Sequence, residues 1–124
     1  MIDHMSTYAT DYAATRAFYD AVLPPLGYQL VMEFDNMCAF GTPGNPTFWV
    51  IQADAPASPR HWAFTADDRE MVTHFYHAGL SHGGKEHGPP GLRPQYHEHY
   101  YGAFLLDPDG NNVEAVCHMP EEPE

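Results

Sequence analysis

Apolar residues recur along this chain with two distinct periods. Over Tyr12–Leu23 they fall at Ala14, Ala17, Phe18, Ala21 and Val22, a helical spacing, with Thr10 or Asp11 placed to cap the first turn and Pro24-Pro25 to stop the last. A second helical stretch covers Asp67 to about Leu80, capped by Asp67 or Asp68. The remaining apolar runs are short and bounded by Gly, Pro, Asn and Asp. They predict strands at Ile2–Tyr8, Tyr28–Glu33, Met37–Gly41, Thr47–Gln52 and His61–Ala66, and a short one near Gly84–His87. Tyr101–Leu106 and Val113–Cys117 then form a hairpin around the turn residues Asp107–Asn112. Glu114 breaks the pattern of this last strand, because an unpaired carboxylate in an apolar strand is costly and calls for a partner.

The same order of elements occurs twice. Sliding the chain by 57 positions superposes His4 on His61, Ala9 on Ala66, Asp11 on Asp68, Phe18 on Phe75, Tyr19 on Tyr76, Ala21 on Ala78, Leu23 on Leu80 and Gly27 on Gly84. These are eight identities in 24 gapless positions, where chance supplies about one or two. The reading is an α+β chain of two βαβββ modules, one over about 1–52 and one over about 60–118. Residues 53–59 (ADAPASP) link them, and a disordered acidic tail is expected over 119–124. The connection Gly88–His99 is long for a compact domain, as functional lids and mobile loops are. Matching Gly44 to Gly110 across the inter-strand turns sets Phe48 opposite Glu114.

Composition narrows the partners. The 124 residues suffice for one self-sufficient core, and five basic against seventeen acidic residues give a net charge of −12, which opposes binding to nucleic acid or an anionic membrane. A small-molecule partner is expected. Cys38 and Cys117 stand apart in apolar runs, as free thiols of a reducing compartment do. With no apolar run of membrane-spanning length and no leader-like N-terminus, a cytoplasmic location is expected.

Of nine histidines, His4 and His61 fall in strand-like segments at equivalent places in the repeat. Side-chain alternation puts His4 on a face with Ser6 and Tyr8, His61 with Ala63 and Thr65, and Glu114 with Asn112, Val116 and His118. If the modules pair by a pseudo-two-fold, these faces meet. Two imidazoles and one carboxylate with open positions suit Fe(II), Mn(II), Zn(II) or Ni(II). Tyr8, Tyr96, Tyr100 and Tyr101 are candidate substrate contacts, and Arg93 is a candidate anion binder. His97 and His99 of YHEHY share a face if extended, as a second metal pair or a proton shuttle would require, although solvent exposure is the plainer expectation for loop histidines.

IDH near the N-terminus, FYDAVLPPLGY at the end of the first helix, the mid-chain HWAF and above all FLLDPDGNNVEAV resemble the vicinal oxygen chelate superfamily, which includes glyoxalase I, fosfomycin and bleomycin resistance proteins and extradiol dioxygenases. The resemblance covers essentially the whole chain. It implies a cupped mixed sheet with helices outside, homodimerisation with the cup formed within or between chains, and one divalent metal ion on His4, His61 and Glu114. Phe48 then stands where glyoxalase I carries a further metal-binding glutamate, which points away from glyoxalase activity and towards a three-ligand site. The resulting expectation is a metal-dependent lyase, dioxygenase or thiol transferase acting on a small oxygenated substrate. The alternative is a metal-free protein that sequesters an aromatic or amphipathic compound, using Phe48, Trp49 and the tyrosines. A small subunit or regulatory partner is a third, weaker reading.

Overall fold

The computed structural model describes residues 1–121. Ten elements follow in order: β1 (Met5–Ala9), α1 (Tyr12–Val22), β2 (Gln29–Glu33), β3 (Met37–Thr42), β4 (Asn45–Gln52), β5 (His61–Thr65), α2 (Arg69–Ser81), β6 (Lys85–Leu92), β7 (Tyr101–Leu106) and β8 (Asn112–Cys117). Both helices start on an aspartate whose carboxylate accepts a backbone N–H three residues on: Asp11 from Ala14 at 3.1 Å, and Asp68 from Met71 at 2.8 Å. A single 3-10 turn over Pro24–Leu26 ends the first helical region, and Gly27, at φ +93°, takes the left-handed conformation that closes it.

The repeat is a structural one. One sheet has strand order β1-β4-β3-β2 and the other β5-β8-β7-β6; in each, the first strand runs parallel to the last and the remaining pairs are antiparallel. Alternation gives each sheet a helix-facing side, built from Cys38, Phe40, Phe48 and Val50 in the first module and from Trp62, Ala103, Leu105, Val113 and Ala115 in the second. Phe18, Tyr19 and Val22 of α1 and Val72 and Phe75 of α2 complete one continuous core. The helices cross where Gly79 lets them approach: a Cβ there would overlap Leu105 and lie 3.1 Å from Val22 Cγ1. The side chain most shared between the modules is Phe48, whose ring lies 4.8 Å from Tyr19, 5.3 Å from Phe64 and 5.7 Å from Trp62. The opposite faces of both sheets, away from the helices, are the cup faces.

Two boundaries differ by three residues or more from the sequence expectation. β1 begins at Met5 rather than Ile2, so His4 immediately precedes the strand instead of lying within it. β6 continues to Leu92, well past His87, and the connecting loop is reduced to 93–100. Pro89 and Pro90 lie within this strand, and β6 is the outermost strand of its sheet, where missing N–H donors are tolerated. The ladder to β7 shifts register at Glu86/Gly88 and again at Gly88/Gly91, on either side of those prolines. Of the tail expected to be disordered, 122–124 lie outside the described residues; Glu121 sits 3.7 Å from the Arg69 guanidinium.

The turn before β8 ties the modules together. Asp107, 3% exposed, accepts the backbone N–H groups of Asp109 and Asn111 at 3.0 and 2.9 Å, the Asn111 side-chain amide at 2.9 Å, and the Tyr19 hydroxyl of the other module at 2.7 Å. Asn111 passes the link on by accepting the Arg60 N–H at 2.9 Å, and Asp109 accepts the Thr10 hydroxyl at 2.6 Å. Removing the carboxylate strands several buried donors at once. Asp107→Ala is therefore expected to cost about 3 kcal/mol and Tyr19→Phe about 1–2 kcal/mol in urea unfolding. Burial, then the Asp107 charge and the hydrogen bond to it, push the Tyr19 phenol well above its ordinary value. The phenol's contribution is thus fully present below pH about 10 and fades as the pH rises beyond it, because the unfolded chain ionises first. Unfolding free energies measured from neutral to alkaline pH should show this loss in the parent, and less of it in Tyr19→Phe.

Candidate functional site

Glu114 lies on the cup face of the second sheet, opposite Phe104 on β7 and Ala63 on β5, and is only 2% exposed. Its partners are two. One oxygen, Oε1, is 3.2 Å from His61 Nε2; the other, Oε2, accepts a short hydrogen bond from the Tyr100 hydroxyl. Gly102 makes room for this, since a Cβ there would lie 3.3 Å from the Tyr100 ring and 3.4 Å from Glu114 Oε2. Burial, then the hydrogen bond to Glu114, raise the Tyr100 phenol well above its ordinary value, so it stays a donor.

The tautomer of His61 is set from behind. Its Nδ1 lies 3.0 Å from the Asn112 carbonyl, which only accepts, so Nδ1 carries the proton. In the neutral ring, Nε2 then turns a lone pair on a carboxylate oxygen. Two facing lone pairs require a cation between them, either a proton or a metal ion, and backbone support of the distal nitrogen is how metal-ligating histidines are oriented. Phe104 stands beside the imidazole, ring centroids 6.4 Å apart, and the Arg93 guanidinium lies 5.4 Å above the Phe104 ring. Arg93 is held there by donating to the carbonyls of Gly91 at 2.8 Å and Pro89 at 2.7 Å.

His4 lies elsewhere. Its Nδ1 is 2.8 Å from Asp3 Oδ1 and its side chain is 60% exposed, in an open depression shared with Asp3, Ser6, Met37, Pro46, Trp49 and Ile51, all from the first module. Among the described residues, no three His, Cys, Asp or Glu side chains converge as a metal-ligand group. One chain therefore presents a donor pair on the second sheet and a lone imidazole on the first.

The remaining candidates divide between the faces. Tyr8 is 45% exposed on the first cup face, and Tyr96, 61% exposed, lies in the 93–100 loop with its ring 4.9 Å from that of Tyr100 and tilted to it by 57°. Tyr101 points the other way, towards α2, with the Arg69 guanidinium 5.0 Å above its ring. Phe48 is 3% exposed in the core. Neither of these two, expected as substrate contacts, lies on the cup face. The equivalence of Phe48 with Glu114 is off by one residue. Ser6 pairs with Trp49 as its repeat mate Ala63 pairs with Glu114, so Trp49 is the true counterpart. Turn glycines misled the alignment, because the β3–β4 pairing shifts register between Phe40 and Gly41 and the turn glycine of the first module falls one position out of step.

A family model for the glyoxalase/bleomycin resistance protein/dioxygenase superfamily matches residues 1–115. The chain belongs to that superfamily. Among solved structures, this superfamily member is similar to a glyoxalase/bleomycin resistance protein from Albidiferax ferrireducens T118 at 29% identity and a TM-score of 0.81, covering 94% of this chain and 97% of that one. It shares its fold with a glyoxalase/bleomycin resistance protein/dioxygenase family enzyme from Burkholderia phytofirmans PsJN (19% identity, TM-score 0.72, 95% and 98% covered). It does so equally with a lactoylglutathione lyase from Agrobacterium tumefaciens (22%, 0.67, 94% and 92%). No curated protein matches. The superfamily's βαβββ pair accounts for the two sheets of identical strand order.

The register assignment is testable by placing a carboxylate at each position. Phe48→Glu buries a charge among three aromatic rings and should cost more than about 3 kcal/mol or abolish folding, whereas Trp49→Glu faces the cup and should cost about 1–2 kcal/mol. Thermal unfolding of the two variants checks the order.

Proposed function

We propose that the protein is a divalent-metal-dependent enzyme acting on a small oxygenated substrate, with the metal held by His61 and Glu114 of one chain and by the partner subunit's His4 in a homodimer. The observation that carries this reading is His61 Nε2 facing the buried Glu114 carboxylate at 3.2 Å with Nδ1 committed to the Asn112 carbonyl. Fe, Mn, Zn and Ni all suit a donor set of two imidazoles and one carboxylate. Assembly between chains is favoured because each cup face carries part of the donor set, and because the first face offers Tyr8, Met32, Met37, Trp49 and Ile51 as an apolar surface for a second copy. The buried free thiols Cys38 and Cys117 fit a cytoplasmic setting.

When bound, the ion supplies Lewis acidity to neighbouring oxygens of a substrate. The chain's own groups do the rest. Tyr100 engages one oxygen of Glu114 and leaves the other facing His61, which fixes the carboxylate's orientation. Arg93, braced over Phe104 on the same face, has N–H groups beyond the two it gives to carbonyls and can receive an anionic portion of the substrate. Tyr96 and Tyr8 line approaches to the two half-sites. Trp49, standing where the second module has Glu114, makes a fourth protein ligand from the first module unavailable and favours a three-ligand centre. It also favours the second reading, a metal-free binder that holds an aromatic compound against Trp49 and the tyrosines.

Metal content separates the two. Purified without chelators, the parent should carry up to one divalent ion per chain, and His61→Ala and Glu114→Gln near none, by elemental analysis. Negligible metal in all three would sink the enzyme reading. In sedimentation, the parent should run as a dimer, and Trp49→Glu should weaken that dimer. Given metal, oxygen uptake with catechols and thiol transfer to fosfomycin are the first activities to assay.

A further inference from the structure

The 93–100 loop ends on Tyr100, the residue that covers Glu114, and it is fastened to the other side of the site by a pair of histidines. His97 Nε2 lies 2.7 Å from Nδ1 of His118, the residue just past the end of β8, with the rings stacked 5.0 Å apart. The second nitrogen of His97 decides what this contact is. His97 Nδ1 accepts the backbone N–H of His99 at 3.1 Å, and a backbone amide only donates. Nδ1 therefore bears a lone pair and Nε2 bears the proton, which it donates to His118 Nδ1. A metal ion on His97 Nε2 would need the lone pair there, so the geometry describes a hydrogen bond between two neutral imidazoles.

A further proton acts differently on the two rings: on His97 Nδ1 it breaks only the bond from His99 and leaves His97 Nε2–H donating to His118, whereas on His118 Nδ1 it removes the acceptor and breaks the inter-residue bond. The Tyr100 ring meets both imidazoles edge-on, at 5.5 and 5.4 Å, and Tyr96 backs Tyr100 at 4.9 Å. The charged groups around the pair do not compensate. Within the loop, the Glu98 carboxylate lies 3.9 Å from His99 and Arg93 is spent on Pro89 and Gly91; on β8, Glu114 is reached only through the Tyr100 hydroxyl. Among the described residues, neither His97 nor His118 has a carboxylate partner.

We propose that His97 and His118 form a proton-released latch, which holds the 93–100 loop and its Tyr100 over Glu114 while His118 Nδ1 keeps its lone pair and lets the loop go when that nitrogen is protonated. The latch is read from its own geometry; that its release exposes a working centre rests on the function proposed above. The loop is short and tied at both ends, with the Arg93 N–H donated to the Tyr100 carbonyl at 2.8 Å and the Tyr100 N–H to the His97 carbonyl at 3.2 Å, so release loosens its tip while its ends stay anchored.

Ring nitrogen NMR and amide hydrogen exchange test this without reference to metal or activity. At about pH 8, both rings should show the neutral Nε2–H tautomer. Between about pH 8 and pH 5, protection of the His99 and Tyr100 amides, corrected for intrinsic rate, should fall by about tenfold or more. His118→Ala should show the low protection already at pH 8 and lose its pH dependence, whereas His99→Ala, which keeps the backbone donor, should behave as the parent. A different tautomer on His97, protection that does not change with pH in the parent, or an undiminished pH response in folded His118→Ala overturns the latch. If the latch stands and metal content proves negligible, only the functional reading falls.

Discussion

A single carboxylate at the junction of the two modules carries much of the architecture. Asp107 is buried, and its two oxygens take up donors from its own turn and from the helix of the other module. That arrangement does two jobs by one means. It shapes the turn that sets the register of β8, and so decides that Glu114 rather than a neighbour faces the cup. It also locks α1 of the first module against the second sheet, so Glu114 on β8 and His4 ahead of β1 keep a fixed relation across the core. An apolar residue at 107 could fill the space but could not satisfy the donors, and this is why a charge belongs in the core here.

Much of this was legible in the chain because the signals were local or repeated. The aspartate caps, the proline stop after α1 and the DPDGNN turn fixed element boundaries closely, and the offset of 57 exposed the duplication before any coordinate. His61 and Glu114 could be paired because alternation along β5 and β8 put both on one face. What sequence could not supply was register across strands. The β3–β4 shift displaced Phe48 into the core and brought Trp49 to the cup, and only the cross-strand pairs Ser6–Trp49 and Ala63–Glu114 reveal it. β6 was read short for a related reason: a proline's cost depends on which edge of a sheet its strand occupies, and strand order is a property of the whole fold. The Asn112 carbonyl behind His61 left no trace in residue identity at all, since every residue has one.

The two cup faces have different chemistry although their backbones are alike. The second carries the imidazole–carboxylate pair, Tyr100 and Arg93, while the first is apolar around Trp49 with one histidine at its rim. Duplication followed by divergence at a few cup-facing positions, with the helix-facing positions kept apolar in both halves, is enough to turn a symmetric fold into a site with distinct sides. The core tolerates no such freedom, because Phe48, Trp62 and Tyr19 form one packed group shared by both modules.

The consecutive prolines of β6 bear on how copies of this chain meet. Along a strand, successive N–H groups point alternately to the neighbour and to the outside, so prolines at 89 and 90 remove one donor from each side. The inner loss shows as the broken ladder to β7, beside which Arg93 satisfies the Pro89 and Gly91 carbonyls. The outer loss blunts the free rim of the sheet against recruitment of a further strand, the usual route to open-ended fibrous growth. With that rim closed to strand addition, any contact between copies is left to surfaces other than this edge.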